Sequence, residues 1–314
     1  MINMQKCGIV GCGFVGAASA FTLAAEGIFS EIVLLDANRE KAQGEALDIA
    51  HGMPFGNPVK IYAGEYKDLA DCALIVIAAG AGQKEGETRL DLVDKNVKIF
   101  SSIIPQITAV NREAILLILS NPVDILTYVT LKLSGLSPKR VIGSGTVLDT
   151  ARFKYLLGEH LGVDMRNIHA FIIGEHGDSE LAVWSSANVS GIDLDEYCKI
   201  CGHCQNHESM RGIYEQVKNS AYNIIKAKGA TYYAIAMSVK RIATAIVRNQ
   251  HSVLTTSTLI DGHCGLRDVC LGYPCVVGSG GIEKVLDIPL SDEEHEALRQ
   301  SAEQLKAVLS HLNL

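Results

Sequence analysis

The sequence has no long hydrophobic run. Its longest apolar stretch, residues 72–82, falls well short of the roughly 20 residues that span a bilayer, so neither a membrane segment nor a membrane partner is expected. It has no basic run either. The 28 Lys and Arg stand against 35 Asp and Glu, and the resulting net charge of -7 argues against a nucleic-acid surface. Residues 1–6 are too few and too polar ahead of the first apolar segment to make a signal peptide, and the expected location is cytoplasmic. Internal repeats, low-complexity linkers and a disorder signature are all missing: 48% of residues are hydrophobic and 20% charged, a foldable globular balance. The 314 residues suffice for two domains. An anionic substrate would need locally placed arginines, because the overall field does not attract it.

Nine cysteines are an odd number, and several fall in predicted strands, which fits reduced thiols better than a disulfide framework. Cys198, Cys201 and Cys204 recur at CxxC spacing beside His203 and His207, which is ligand chemistry for zinc. A cysteine-rich helix or loop accounts for the same pattern, since the three would lie nearly in line along one helix face. No metal is assigned.

The most informative stretch is residues 7–36. An apolar strand (7–10) runs into Gly11-Cys12-Gly13-Phe14-Val15-Gly16, a helix follows (17–25), and a second strand (32–35) ends in Asp36. In such a unit the first glycine permits a tight turn, the second lets backbone approach a pyrophosphate, and the third lets helix pack on strand. The phosphates then meet N–H groups at the positive end of the helix. An acid about 20 positions beyond the glycines binds ribose hydroxyls and repels a 2′-phosphate, so Asp36 favours NAD over NADP.

Further along, a helix over 39–51 is broken by Pro54 and Pro58, and a strand follows near 59–63. The uninterrupted apolar run 73–79 reads as a parallel strand covered on both faces, opening into a glycine-rich polar loop at 80–87. Thr88 and Asp91 form a helix start, with Leu90, Val93, Val97, Phe100 and Ile104 as one stripe. A strand at 114–119, a helix at 123–133 and a strand at 140–142 complete two βαβαβ rounds, for which a six-stranded parallel sheet is the default. The first domain, 1–143, is therefore read as a dinucleotide-binding unit of a doubly wound α/β type. The second, 144–314, reads as α+β. It has a helix at 147–161, a strand at 169–173, helices at about 208–228 and 230–248, and strands near 252–260 and 269–277. A last helix is opened by Ser291 and Glu294, with Leu298, Ala302, Leu305, Leu309 and Leu312 as its stripe.

Four segments, GQKEGETRLDLVDKN (82–96), NPVD (121–124), DTARF (149–153) and GEHGD (174–178), resemble the lactate and malate dehydrogenase superfamily, and the L-lactate dehydrogenases most closely, in order and over essentially the full length. The resemblance implies a Rossmann-type NAD domain plus a catalytic domain, and reversible reduction of pyruvate to (S)-lactate. His176 matches the family's acid–base histidine, Asp149 the carboxylate that orients it, Arg152 the clamp for the substrate carboxylate, and Arg89 the arginine that polarises the carbonyl as the loop closes. Standing alone, His176 would read as a core histidine and the Asp149–Arg152 pair as a surface ion pair. Asn121, Asp124 and Thr231 join the implied substrate contacts. Val15, Lys41, Tyr66, Gly80, Ala81, Ser102 and Ser144 join Gly11, Gly13, Gly16, Asp36 and Asn121 as implied cofactor contacts.

Gln83, neutral where malate dehydrogenases carry arginine, is expected to select monocarboxylates, because a closed pocket penalises an unpaired charge. The alternatives are a dehydrogenase for malate or a bulkier L-2-hydroxy acid, and a catalytically silent NAD-binding scaffold, which would be expected to have lost His176 or Arg152. Many bacterial relatives bind fructose 1,6-bisphosphate between subunits through an arginine and a histidine. His169 matches the histidine but Lys154 replaces the arginine, which keeps a point charge for phosphate and loses the bidentate geometry, so activation is expected to be retained but weakened. A homotetramer is implied by the resemblance alone.

Overall fold

The computed structural model describes residues 2–82, 88–202 and 207–312. Gln83, His203 and Cys204 lie outside them, as do the side chains of Arg89 and His207.

The chain runs β1 (Asn3–Val10), α1 (Phe14–Ala25), β2 (Glu31–Leu35), α2 (Arg39–Gly52), β3 (Lys60–Ala63), β4 (Cys72–Ile77), α3 (Arg89–Val110), β5 (Ile115–Ile118), α4 (Val123–Ser134) and β6 (Val141–Gly143). These six strands pair in parallel in the order β3-β2-β1-β4-β5-β6. Alternate residues feed opposite faces. On β4, Ile75 and Ile77 pack under Val93, Phe100 and Ile104 of α3, while Leu74 and Val76 pack with Leu23 of α1 and Ala46 of α2. Both faces are covered, which is why these strands read as unbroken apolar runs. Of the α3 stripe, Leu90 is the exception: it is exposed at the helix's first turn.

Beyond β6 come α5 (Val147–Leu161), β7 (Ile168–Ile173), β8 (Leu181–Val189), β9 (Ile192–Asp193), α6 (Leu194–Cys201), α7 (His207–Lys228), α8 (Tyr233–Val247), β10 (Ser252–Ile260), β11 (Val269–Gly278), β12 (Gly281–Val285) and α9 (Asp292–Leu309). The sheet does not stop at the six strands expected. β10 joins β6 antiparallel, and β11 and β12 extend it to nine strands. A separate three-stranded antiparallel sheet, β7-β8-β9, touches it through a bridge between Gly174 and Gly272. The join at β6 depends on glycine: a Cβ on Gly143 would collide with Thr127 Oγ1, and one on Gly145, at φ 53°, with the Ser257 amide nitrogen. The whole is a Rossmann-type parallel sheet with an α+β second half, and no described helix is long and apolar enough to cross a membrane.

The cysteines correct one expectation. Among the described residues seven are free thiols, but Cys198 is disulfide-bonded, and a disulfide sulfur is not a metal-ligating thiolate. Cys198 and Cys201 lie on α6, which Gly202 (φ 69°) ends; Cys204 lies outside the described residues.

Candidate active site

The carboxyl ends of β1, β2 and β4 open onto a cleft of about 730 Å³. Gly11, with φ 99°, has no room for a side chain, because a Cβ would strike the Ala79 backbone. Gly16 packs so closely on Gly11 that its own Cβ would meet the Gly11 carbonyl, whereas Gly13, the residue capping α1, faces open space. The loop thus bares amide groups at a helix N-terminus where an anion can approach. Asp36 is fastened at the far side: Oδ2 accepts from the Cys12 amide at 2.7 Å and Oδ1 from that of Asn38 at 2.9 Å. Lys41, Tyr66, Gly80 and Ser102 line the same cleft. Val15 and Ser144 line neither this cleft nor the next one: Val15 is half-buried at the start of α1, and the Ser144 amide donates to Ile118.

A second cleft, of about 680 Å³, holds Ala81, Asn121, Asp149, Arg152 and His176. Residues from the turn before α4, from α5, from the turn after β7 and from α7 converge there. Asp149, in the first turn of α5, uses both carboxylate oxygens: Oδ1 accepts from Arg152 Nη1 at 2.8 Å and Oδ2 lies 2.5 Å from His176 Nδ1. Side-chain exposure is 3% for Asp149 and 12% for Arg152, so this is no surface ion pair. The His176 amide donates to Asp124 Oδ2 at 2.7 Å, which places Asp124 behind the histidine, away from the cleft lining. Thr231 lines neither cleft. It is half-buried and precedes Tyr232, whose ring stacks on Phe14 of the glycine loop at 5.4 Å.

The electrostatics follow from burial and pairing. Burial pulls the His176 imidazole down, but the charge and hydrogen bond of Asp149, then Asp124 and Glu180, lift it to about 9. Burial works against the charge of Asp149, yet His176 and then Arg152 hold its carboxyl below the usual carboxylate range. Asp124, wholly enclosed, is pushed up to about 6 chiefly by burial.

Two residues of the site carried no sequence signal of their own. Asn96, fully buried on α3, accepts from the Ala81 amide at 2.7 Å and donates to the Ala81 carbonyl at 3.2 Å and the Asn121 carbonyl at 2.7 Å. It ties the loop after β4 to the loop after β5. Glu180, on the chain entering β8, is buried beside the Asp149–His176 pair; burial first and Asp149 second push its carboxyl up to about 8. Elsewhere, Lys154 is half-buried on α5, where burial and then the charge of Arg241 lower its amine, and His169 is exposed on β7.

Two family models match. One is described as the lactate/malate dehydrogenase NAD binding domain, over residues 5–143, and the other as the lactate/malate dehydrogenase alpha/beta C-terminal domain, over residues 146–313. The L-lactate dehydrogenase of Acetivibrio thermocellus is 56% identical over 311 residues, covering 99% of this chain and 98% of that protein. L-lactate dehydrogenase 1 of Clostridium acetobutylicum is 51% identical over 313 residues, covering 99% and 100%. Among solved structures, the minor L-lactate dehydrogenase of Enterococcus mundtii superposes with a TM-score of 0.96 at 42% identity, covering 99% of both chains.

Proposed function

The chain belongs to the lactate/malate dehydrogenase family, and from that premise we propose that it is an NAD-dependent L-lactate dehydrogenase, reversibly reducing pyruvate to (S)-lactate. The cofactor is NAD(H), which supplies the hydride when bound; the bared amides of the glycine loop suit its phosphates and Asp36 suits an unphosphorylated ribose. The observation that carries the reading is the buried chain Arg152–Asp149–His176 opening into a cleft beside the dinucleotide cleft.

Each residue has a physical task. Asp149 accepts from His176 Nδ1, which leaves Nε2 to hold the proton that the forming alkoxide takes. Arg152, steadied by Asp149, offers a planar fork to the substrate carboxylate. Arg89, first residue of α3, is by the family resemblance the second arginine, the one that polarises the carbonyl. Asn121 lines the catalytic cleft, and only the family resemblance assigns Thr231 to the substrate side. The family resemblance also supports a homotetramer in the cytoplasm. Activation by fructose 1,6-bisphosphate through Lys154 and His169 is part of the same reading. Lysine still binds phosphate as a point charge, so retained but weakened activation is expected. Identical pyruvate saturation curves with and without the sugar bisphosphate would remove that part.

The test is NADH oxidation across pyruvate, oxaloacetate and 2-oxoisocaproate. Pyruvate is expected to be preferred, and Gln83→Arg to raise the rate on oxaloacetate while lowering that on pyruvate. Preference for oxaloacetate in the unaltered protein would overturn the lactate assignment in favour of malate. An unchanged preference in Gln83→Arg would place selectivity elsewhere.

A further inference from the structure

Reduction of a 2-oxo acid consumes one proton per turnover, and a histidine that gives it up must be recharged before the next. His176 is poorly placed to recover a proton from bulk water while the cleft is filled. Its Nδ1 is committed to Asp149, both Asp149 oxygens are taken, and Asp124, which gives Oδ2 to the His176 amide, lines neither the cleft nor the cavity beyond it. Of the two acids that keep a buried oxygen without a partner, Asp124 (Oδ1) and Glu180 (Oε1), Glu180 is the one that lines the catalytic cleft. Glu180 is 6% exposed, and its Oε1 is buried with no hydrogen-bond partner. A carboxylate oxygen of Glu180, one of Asp149 and a ring nitrogen of His176 lie within 4.8 Å of one another, a gap that one water molecule closes.

Glu180 also has a second outlook. On the far side of the β8 entry lies another cavity, of about 370 Å³, bordered by Trp184, Tyr214, Ala297 and Gln300. Among the described residues, only Asp178 and Glu180 line both this cavity and the catalytic cleft. Asp178 accepts from the Tyr222 hydroxyl at 3.0 Å and sits in an exposed turn, so the partnerless acid in the dividing wall is Glu180. The Tyr214 hydroxyl donates to the Glu180 carbonyl and pins the backbone there, leaving the side chain to face the two spaces.

We propose that Glu180 relays protons between His176 and the solvent of this second cavity, a route separate from the substrate mouth. The proposal rests on His176 being the proton donor. After His176 has protonated the alkoxide from Nε2, the Glu180 O–H bond breaks and, through a bridging water, an N–H bond re-forms at Nε2, while Nδ1 keeps its hydrogen toward Asp149. The Glu180 carboxylate then takes a proton from water in the cavity, releasing hydroxide to bulk; in the oxidising direction each step runs backward. The direction is favourable: Glu180, pushed up to about 8 by burial and Asp149, is a protonated acid at neutral pH, and His176, lifted to about 9, is the stronger base. Arg152 and Lys218 face Glu180 as cations and favour return of its carboxylate between transfers.

The experiment compares pre-steady-state and steady-state NADH oxidation by pyruvate in dilute buffer, with and without added imidazole. Glu180→Gln is expected to give a burst of a single turnover followed by a steady rate about tenfold below that of the unaltered protein, with imidazole restoring the steady rate. Glu180→Asp, which keeps a carboxyl, is expected to recover part of it unaided. Should Glu180→Gln not fold, Ala297→Leu narrows the second cavity without touching the cleft and is expected to show the same burst and the same rescue. A steady rate in dilute buffer equal to that of the unaltered protein overturns the relay, and so does a loss that imidazole leaves untouched, which marks a structural role. Failure of the underlying reading looks different: His176→Asn would then retain the burst.

Discussion

Asp149 does the work of two residues by spending one oxygen on each neighbour. Its negative charge lifts the His176 imidazole against burial, and its second oxygen fixes the Arg152 fork. Asp149→Asn removes the lift, so the histidine loses its proton at lower pH. Pyruvate reduction is expected to fall at least ~100-fold, with the alkaline limb of kcat/KM moving down from its position near pH 9. A pH profile of kcat/KM checks both effects, and a limb that stays in place would mean another group sets it. Arg152→Lys keeps the charge and loses the second parallel hydrogen bond. Loss of about 1.5–3 kcal/mol from the carboxylate clamp raises the KM for pyruvate on the order of 10- to 100-fold. An unchanged KM with a lowered kcat would assign Arg152 to the transition state instead.

At the scale of elements, the site is held by helix beginnings and by one buried amide. The Thr88–Asp91 capping box opens α3, and Asn96 one turn later bridges the two loops that border both clefts. Asn96→Ala strips three hydrogen bonds and strands buried backbone groups of Ala81 and Asn121, at a cost of about 1–3 kcal/mol. A lowered thermal midpoint is expected together with raised KM values for both NADH and pyruvate; loss of stability with both KM values intact would deny Asn96 its bridging role.

Local rules made much of this readable in advance. The boxes at Thr88–Asp91 and Ser291–Glu294 are both present, and the helix over 147–161 and the strand over 252–260 fall where the patterns put them. The signals failed where no periodicity exists. β8 carries Trp184, Ser185, Ser186 and Asn188 among its apolar residues, because Glu294 of α9 accepts from the Trp184 and Ser185 amides and the Ser185 hydroxyl. β12, with Glu283 and Lys284, has no apolar run to betray it. Asp149 and Arg152 were visible as a spacing, but their burial is a product of how α5 meets the turn after β7. Asn96 and Glu180 matter only through what long-range packing sets beside them.

For the whole molecule, the same enclosed cluster ties folding to pH. Glu180 moves from the ordinary range near 4.5 up to about 8, Asp124 from 3.8 to about 6, and His176 from 6.5 to about 9. In all three the folded protein holds a proton that the unfolded chain has released. Each contribution is therefore fully present below the unfolded value and lost as pH rises through the folded one. Asp149 runs the other way, and its share is lost only as pH falls below the ordinary carboxylate range. Across pH 6 to 8 the first group dominates, with Asp124 already spent near the lower end. Approaching pH 9 the buried thiols of Cys7, Cys12, Cys72, Cys270 and Cys275, raised by burial, act in the same sense, so the thermal midpoint is expected to fall steadily. Glu180→Gln has no proton to lose there, so its midpoint should fall less steeply between pH 6 and 8, with the remaining slope that of His176. His176→Asn should flatten the upper part instead. Scanning calorimetry of the three proteins at several pH values checks the assignment, and parallel curves would show that the titration coupled to unfolding resides outside this cluster.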